Sequence, residues 1–595
     1  MKIIRGIALI NTPVYNNDEG IYPPIGLISI ATYLRDCKGY TVHIYDLAYL
    51  IWSRKQFVED DFYLNFAQEI RKREENVIGI TCQNFSLASA LLLAKNIKAV
   101  CEDKYICLGG VGVHGIAKKL MEMFDFIDFI VIGEGEETTG DLLKAIENES
   151  FDTLLGVYFR RENQIVYNGN HPLINNLDKL PRPDFTIIDD VEGYFSLADN
   201  GRKALNVELA RGCSGGCEFC GCFSFWCGQH RYFDINKMFD HIQQLIDQYE
   251  INHIYLSDDN FTSDNVMVER VCNKFRDRNW ELTWDTRGRV NDMDLDLLRK
   301  MKQAGCSEIL IGIESSDDFV LKNMNKRIIS DQQYQAVINV MEAGIVPILS
   351  LILGYEGETE SSINNTIYLL LKLYRIEKPI VAYFHICSIV PGTRLYDKNV
   401  DSLLKDRAEE IIGELKYGDI GIPFTEIQML RKYPKLFSTF YHLPSNVEFK
   451  VLGTISRLAT IVLPVFRFTL SIIEKLCGNI LLLFQEYNQQ FECNVGENEI
   501  VRDFSIIIME RFGYDVRVKN MLIFEHVLYR LGSACENESI CIELDLDILK
   551  LKAMIKSEEI SDIDIEKHKY KLVLQNKTIH LFSASELGTI KKVQR

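Results

Sequence analysis

Apolar and polar positions along this chain change period in an orderly way. Between residues 1 and 150, short β-rich apolar runs lie at Ile7–Ile10, Thr41–Tyr45, Val77–Thr81, Tyr105–Leu108 and Phe129–Ile132. Stretches of helical period separate them and predict helices over Gly26–Cys37, Tyr63–Glu74, Ser86–Cys101, Ile116–Phe124 and Glu137–Glu147. Strand and helix in alternation predict parallel strands with crossover helices. The expectation is a doubly wound, Rossmann- or flavodoxin-like open sheet, whose ligand crevice lies outside the carboxyl ends of the strands. The loops at that end hold Asn11, Thr12 and Pro13, then Asn84 to Ser86, Gly109 to Gly112, and Gly133 to Glu136.

A second alternating block, 201–400, has apolar runs at Leu205–Ala210, His253–Leu256, Leu282–Trp284, Ile309–Ile313, Pro347–Leu353 and Ile380–Ile386. Helical stretches such as Ile235–Tyr249, Asp294–Ala304 and Asp331–Ala343 lie between them. Six such units are too few for a closed eight-stranded barrel, so a partial (β/α)6 barrel is predicted. Barrel sites are built at the carboxyl ends of the strands. Those ends carry a cysteine-rich loop, then Ser257, Asp258, Asp259 and Asn260, then Arg289, then Glu314, Ser315 and Ser316, then Gly354 to Thr359, and last Pro391, Gly392 and Thr393. Acidic residues in such places are often only helix caps, the expectation for Asp317.

Between the blocks, 151–200 reads as a linker with a hairpin of Leu154–Tyr158 and Gln164–Tyr167, followed by LPRPDF at Leu180–Phe185. Residues 401–595 are expected to form a mostly helical C-terminal unit for substrate recognition or structural support. It has a helix over Leu403–Leu415, an apolar stretch Phe449–Tyr487, and strands at Ile540–Leu544 and around a turn at Gln575-Asn576-Lys577. The charge-free run Leu458–Phe466 is nine residues, short of the ~20 a membrane span needs. No transmembrane segment is predicted, and the apolar stretch reads as a buried helical pair.

The sharpest chemical signal is Cys213, Cys217 and Cys220, spaced C-x3-C-x2-C in ARGCSGGCEFCGC. Iron–sulfur clusters are held by Cys thiolates, and a short spacing puts several on one loop. Three thiolates leave one iron of a [4Fe–4S] cubane open to an exogenous ligand. A zinc knuckle would need a second ligand pair, for which only Cys222 and Cys227 are close.

The loop, including Phe219 before the third cysteine, resembles that of radical S-adenosylmethionine (SAM) enzymes. GIES at Gly312–Ser315, GYEGET at Gly354–Thr359 and VPGT at Val390–Thr393 resemble the GIES, LPGET and YPGT signatures of the branch with a cobalamin-binding domain. Tyr355-Glu356 depart from the usual Leu-Pro. The resemblance implies a [4Fe–4S] cluster that chelates SAM through the open iron and cleaves it to methionine and a 5′-deoxyadenosyl radical. It places Phe219, Ser257, Asp258, Asp259, Arg289, Glu314 and Ser315 at SAM, with Glu314 on its ribose or amino group and Arg289 near its carboxylate. Cys222 and Cys227 are candidates for a catalytic thiol beside the radical, or for core packing.

PPIG at Pro23–Gly26 and GEGE at Gly133–Glu136 are similar to the cobalamin-binding domain of that branch. By that resemblance Asn11, Thr12, Ser86, Gly109, Gly110, Gly133 and Glu134 line a crevice for cobalamin. The Asp-x-His-x-x-Gly loop that supplies a cobalt ligand elsewhere is missing, and His114 is not a surrogate by default. Two reactions therefore stay open: cobalamin-dependent C-methylation, or radical cyclisation, epimerisation or rearrangement without cobalamin. An iron–sulfur electron carrier leaves the strand-end motifs unexplained. The resemblance also implies an electron donor such as flavodoxin or ferredoxin, and a peptide or small-molecule natural-product substrate, with an apolar lipid- or porphyrin-like molecule as alternative.

A formal net charge of −18 argues against a nucleic-acid partner, because phosphate contact needs clustered Lys and Arg. Sixteen cysteines without a disulfide-like framework, and no cleavable leader after MKIIRGIALINTP, predict a reducing, cytoplasmic setting. Cys477, Cys493, Cys535 and Cys541 are too scattered to suggest a second cluster.

Overall fold

The computed structural model describes residues 3–15, 20–55, 58–198, 202–404, 408–413, 415–417, 420–491, 495–533, 540–557, 570–575, 578–583 and 591–593. The N-terminal strands are β1 (Ile7–Asn11), β2 (Val42–Asp46), β3 (Val77–Thr81), β4 (Tyr105–Gly109) and β5 (Phe129–Val131). They pair in parallel in the order β2-β1-β3-β4-β5. Their near-continuous apolar runs are those of strands covered on both faces.

The expected linker hairpin joins this sheet. β6 (Val157–Arg161) and β7 (Gln164–Tyr167) add antiparallel strands beyond β5, for seven in all. The first hairpin strand starts at Val157 instead of Leu154, because Gly156 turns the chain with φ +71° before pairing begins.

The barrel strands are β8 (Ala204–Val207), β11 (His253–Leu256), β12 (Thr283–Arg289), β13 (Cys306–Glu314), β14 (Val346–Leu353) and β15 (Val381–Ile386), all parallel and in chain order. Between the first two, β9 (Ala210–Arg211) and β10 (Arg231–Tyr232) form a short antiparallel ribbon. The first strand ends at Val207 because the amides of Leu209 and Ala210 turn to Asp258 Oδ1, at 2.8 and 3.1 Å. β12 outruns its apolar signal because every second residue, Asp285, Arg287 and Arg289, is polar and only half-buried, whereas Trp284 and Thr286 are buried. Trp284 is fully buried, stacks on Phe275 and donates to Ala304 O at 2.7 Å. Asp264, Asp294 and Asp317 each accept backbone N–H groups at helix starts, so these strand-end acids are caps.

The apolar stretch of the C-terminal unit forms three helices, Phe449–Val465, Arg467–Cys477 and Leu481–Gln490. Pro464 ends the first, and the next bends away by 106°. Glu525 accepts the amides of Phe468 and Thr469, at 2.8 and 2.9 Å, capping that second helix. Among the described residues no single helix is long and apolar enough to cross a membrane. Of the predicted helix Leu403–Leu415, Ala408–Gly413 is helical, whereas Leu404 instead forms a β-bridge with His442 and Leu415 lies outside the helix. Strands Ile540–Leu544, Tyr570–Gln575, Thr578–Ser583 and Lys591–Val593 form an antiparallel sheet. The turn residues Asn576 and Lys577, and Cys493 and Cys535, lie outside the described residues.

Candidate active site

The cysteine loop spans the interval between β9 and β10, so the Arg211–Arg231 cross-strand pair forms its neck. Cys217 is buried and Cys213 and Cys220 are half-buried. Arg289, at the end of β12, donates to Cys217 Sγ at 3.4 Å, and the Gly215 amide donates to Cys213 Sγ at 3.3 Å. Such donors stabilise thiolates, the form that ligates iron. A side chain on Gly215 would displace the Arg289 guanidinium from its place beside the cysteines. The Cys222 thiol holds Cys220 down at about 7, while burial pushes Cys213 up. A cubane takes one thiolate per iron, and the donor set of three adjacent thiols with a guanidinium beside them fits it.

Behind the loop, Glu314 takes φ +62° after a bulge in β13 and pairs with Lys326 at 2.5 Å, both buried. A side chain on Gly312 would strike both charged groups, which explains the glycine of GIES. Lys326 also lies 5.9 Å from the Phe219 ring centroid, and Phe219 meets Tyr355 edge-on. Arg289, Glu314, Lys326 and Phe219 are therefore one cluster beside the cysteines. Lys326 carries no motif of its own in the sequence; only folding brings it to Glu314.

Other expected SAM residues make contacts of their own within the protein. Asp258 is fully buried with Oδ1 spent on the Leu209 and Ala210 amides. Burial pushes it up to about 8. Ser315 is fully buried and accepts from the Asp317 amide. Ser257 donates to Val207 O at 3.2 Å. Asp259 accepts from Cys222 Sγ at 3.2 Å; the neighbouring Cys220 sulfur first, then burial, hold Cys222 protonated. Cys227 is exposed at φ +52°.

The facing loops of the N-terminal sheet also revise expectation. Thr12 and Ser86 are brought together, their hydroxyls 2.7 Å apart, and Asn11 donates to Asp46. Gly110, at φ +91°, is bare for internal reasons: a Cβ would sit 2.6 Å from Cys82 O, not in a ligand's space. Gly109 makes only loose approach to Val131, and Gly133, at φ +84°, looks onto open space. Glu134 does not line the crevice. Its carboxylate accepts from Arg211 Nη1 at 3.0 Å, Arg231 Nη1 at 2.8 Å and the Ile174 amide at 2.7 Å. Glu136 takes Arg211 Nη2 at 2.7 Å and Glu208 takes its Nε at 2.8 Å. The GEGE loop thus fastens the neck of the cysteine loop.

Two buried polar atoms in the crevice loops, Asn84 Oδ1 and His114 Nδ1, have no partner among the described residues. A buried polar group left so costs about 1–3 kcal/mol. A ligand rich in amides, as cobalamin is, would satisfy them, so the loops fit it. Burial holds His114 below its usual value and hence neutral. Its ring meets Phe225 of the cysteine loop edge-on at 5.6 Å.

Residues 207–370 match the model of the radical SAM superfamily, and 12–143 that of the B12 binding domain. An uncharacterised methyltransferase of Pyrococcus horikoshii is 26% identical over 71% of this chain and 88% of its own. The anaerobic magnesium-protoporphyrin IX monomethyl ester cyclase of Rubrivivax gelatinosus is 27% identical over 58% of this chain and 61% of its own. Among solved structures, the cobalamin-dependent SAM radical enzyme OxsB shares the fold, with a TM-score of 0.59 at 16% identity over 93% of this chain and 84% of that one. TsrM, a radical SAM methyltransferase from Kitasatospora setae, gives 0.56 at 15% over 77% and 96%. The chain thus carries a radical SAM domain and a B12-binding domain, in a fold shared with cobalamin-dependent radical SAM enzymes. Its domains imply a [4Fe–4S] cluster, SAM and cobalamin as cofactors.

Proposed function

We propose that this enzyme transfers a methyl group from SAM to an unactivated carbon of a peptide or other natural product, with cobalamin in the N-terminal crevice. The observation that carries this reading is the meeting of crevice and barrel mouth. A Cβ on Gly115, just past GGVG, would run into the Gly392 backbone of VPGT, and one on Gly392 would meet His114 at 2.9 Å. The crevice loop therefore abuts the loop that closes the barrel beside the cysteines. When bound, the cluster and SAM would supply the radical and cobalamin the methyl carrier. The protein's share is to hold Cys213, Cys217 and Cys220 at a fixed neck, to cradle SAM with Arg289, Glu314 and Phe219, and to exclude water.

Register supports a substrate path through the barrel. Ser350 lies beside Tyr383, and Ile352 beside His385, on the half-open face of β14 and β15. The helix Phe449–Val465 covers the free edge where further barrel strands would stand. Ser456 and Thr460 donate to Phe384 O and Ala382 O, at 2.7 and 2.9 Å. This wall offers hydroxyl and imidazole groups beside apolar ones, which supports a peptide or other natural-product substrate. The alternation of VAYFHI was the signal in the sequence for Tyr383 and His385. The similarity to a cyclase favours radical cyclisation as the second reading.

Protein reconstituted with cobalamin should show a corrin absorption band, and SAM with a labelled methyl group should pass the label to the substrate. Gly133→Asn should lose the corrin band and keep the cluster, because asparagine tolerates a left-handed backbone and its side chain enters the open space. An intact cluster without a corrin band in the unaltered protein would leave cyclisation standing and methylation refuted.

A further inference from the structure

Reduction of the cluster needs one electron from outside, and exposed cations stand against one side of the cysteine loop. Gly216, beside Cys217, is buried under side chains: Arg327 Nη2, Asn325 Nδ2 and a Phe223 ring carbon each lie 3.7 Å from the position a Cβ would take. Asn325 donates to Gly216 O at 2.8 Å. The Arg394 guanidinium stacks over Phe223 at 5.1 Å. Glu218, between Cys217 and Phe219, accepts from Arg394 Nη1 at 3.2 Å and Lys398 Nζ at 2.7 Å. Those two cations keep side-chain exposures of 51% and 63%, against 12% for the carboxylate they share. Arg327 is exposed as well.

Three solvent-facing cations thus stand over the loop against the one carboxylate that Arg394 and Lys398 touch, on a chain whose formal net charge is −18. Charge of one sign gathered against the sign of the whole molecule steers a partner of opposite charge. We infer that Arg327, Arg394 and Lys398 form the docking surface for a small acidic one-electron carrier protein. The carrier gives up one electron and is oxidised; the cluster takes it, passing from the 2+ to the 1+ state, with no proton moved. The inference rests on the cluster reading of the three cysteines and adds which face of the loop meets the donor.

The experiment compares reductants. Cleavage of SAM to 5′-deoxyadenosine is measured with reduced flavodoxin as donor, and separately with dithionite, a small anion that needs no docking. The variant Arg327→Glu, alone and with Lys398→Gln, is expected to lower the flavodoxin-driven rate roughly tenfold, with iron content and the dithionite-driven rate unchanged. Added salt should slow the flavodoxin reaction of the unaltered protein in the same way, by screening. Equal losses with both reductants, or no loss with flavodoxin, would overturn the docking surface. No cleavage by the unaltered protein with dithionite would overturn the cluster reading itself, and the surface with it.

Discussion

Replacement of Glu134 by Gln tests whether the N-terminal domain holds the cysteine loop closed. Glu134 is buried and takes N–H donors from both arginines of the neck and from the Ile174 amide. Arg211 would keep Glu136 and Glu208. Among the described residues Arg231 would keep only Ile174 O at 2.8 Å and its place over the Trp226 ring; its Nε and Nη2 already lack acceptors there. Breaking a buried ion pair by removing one partner costs 3–5 kcal/mol, because a charge is stranded. Glutamine retains one acceptor oxygen, so the low end applies, about 3 kcal/mol, or roughly a hundredfold in the opening equilibrium of the neck. The assay is the rate at which a chelator strips iron from the anaerobically reconstituted protein, and it should rise by about that factor. Adding Arg231→Met, which removes the stranded cation and leaves an apolar chain over Trp226, should recover most of the loss, as apolar replacements of buried pairs do. Unchanged iron release in Glu134→Gln, or a double variant worse than the single one, would refute the reasoning.

Changing Cys213, Cys217 and Cys220 together to Ala should abolish both cluster binding and SAM cleavage; cleavage that survives would refute the cluster assignment. Glu314→Gln should weaken SAM binding in a titration while iron content holds, since Gln can still accept from Lys326; iron loss would make Glu314 structural only. Asp258 is raised from 3.8 to about 8 by burial. The folded carboxyl thus binds its proton more tightly than the unfolded one, and its stabilising share is complete below about pH 4 and lost by about pH 8. Asp258→Asn keeps an oxygen for both amides and does not titrate, so its denaturation midpoint should fall less over that range than that of the unaltered protein; parallel curves would refute this.

Much of the architecture was legible because it is written in local periods. Apolar runs of four or five residues between helical stretches identified β1 to β5, and the same pattern located all six barrel strands. The cysteine triplet was legible for the same reason, since a cluster loop needs its thiolates within a few residues of one another. Polar strand residues were harder. Arg287 and Arg289 extend β12 well past its apolar run because they face the half-open interior. The roles of single side chains were settled by tertiary structure alone. Glu134 and the arginines of the neck are 77 and 97 residues apart in sequence, so no local pattern announces that one carboxylate satisfies both. Lys326 gains meaning only where it meets Glu314 over the bare Gly312. Gly110 looked like a concession to a flat ligand, but the Cys82 carbonyl already occupies the space its side chain would need. Periodicity reports burial, which is a property of a segment. Which buried charge meets which depends on where distant segments pack, and that is decided only when the whole chain has folded.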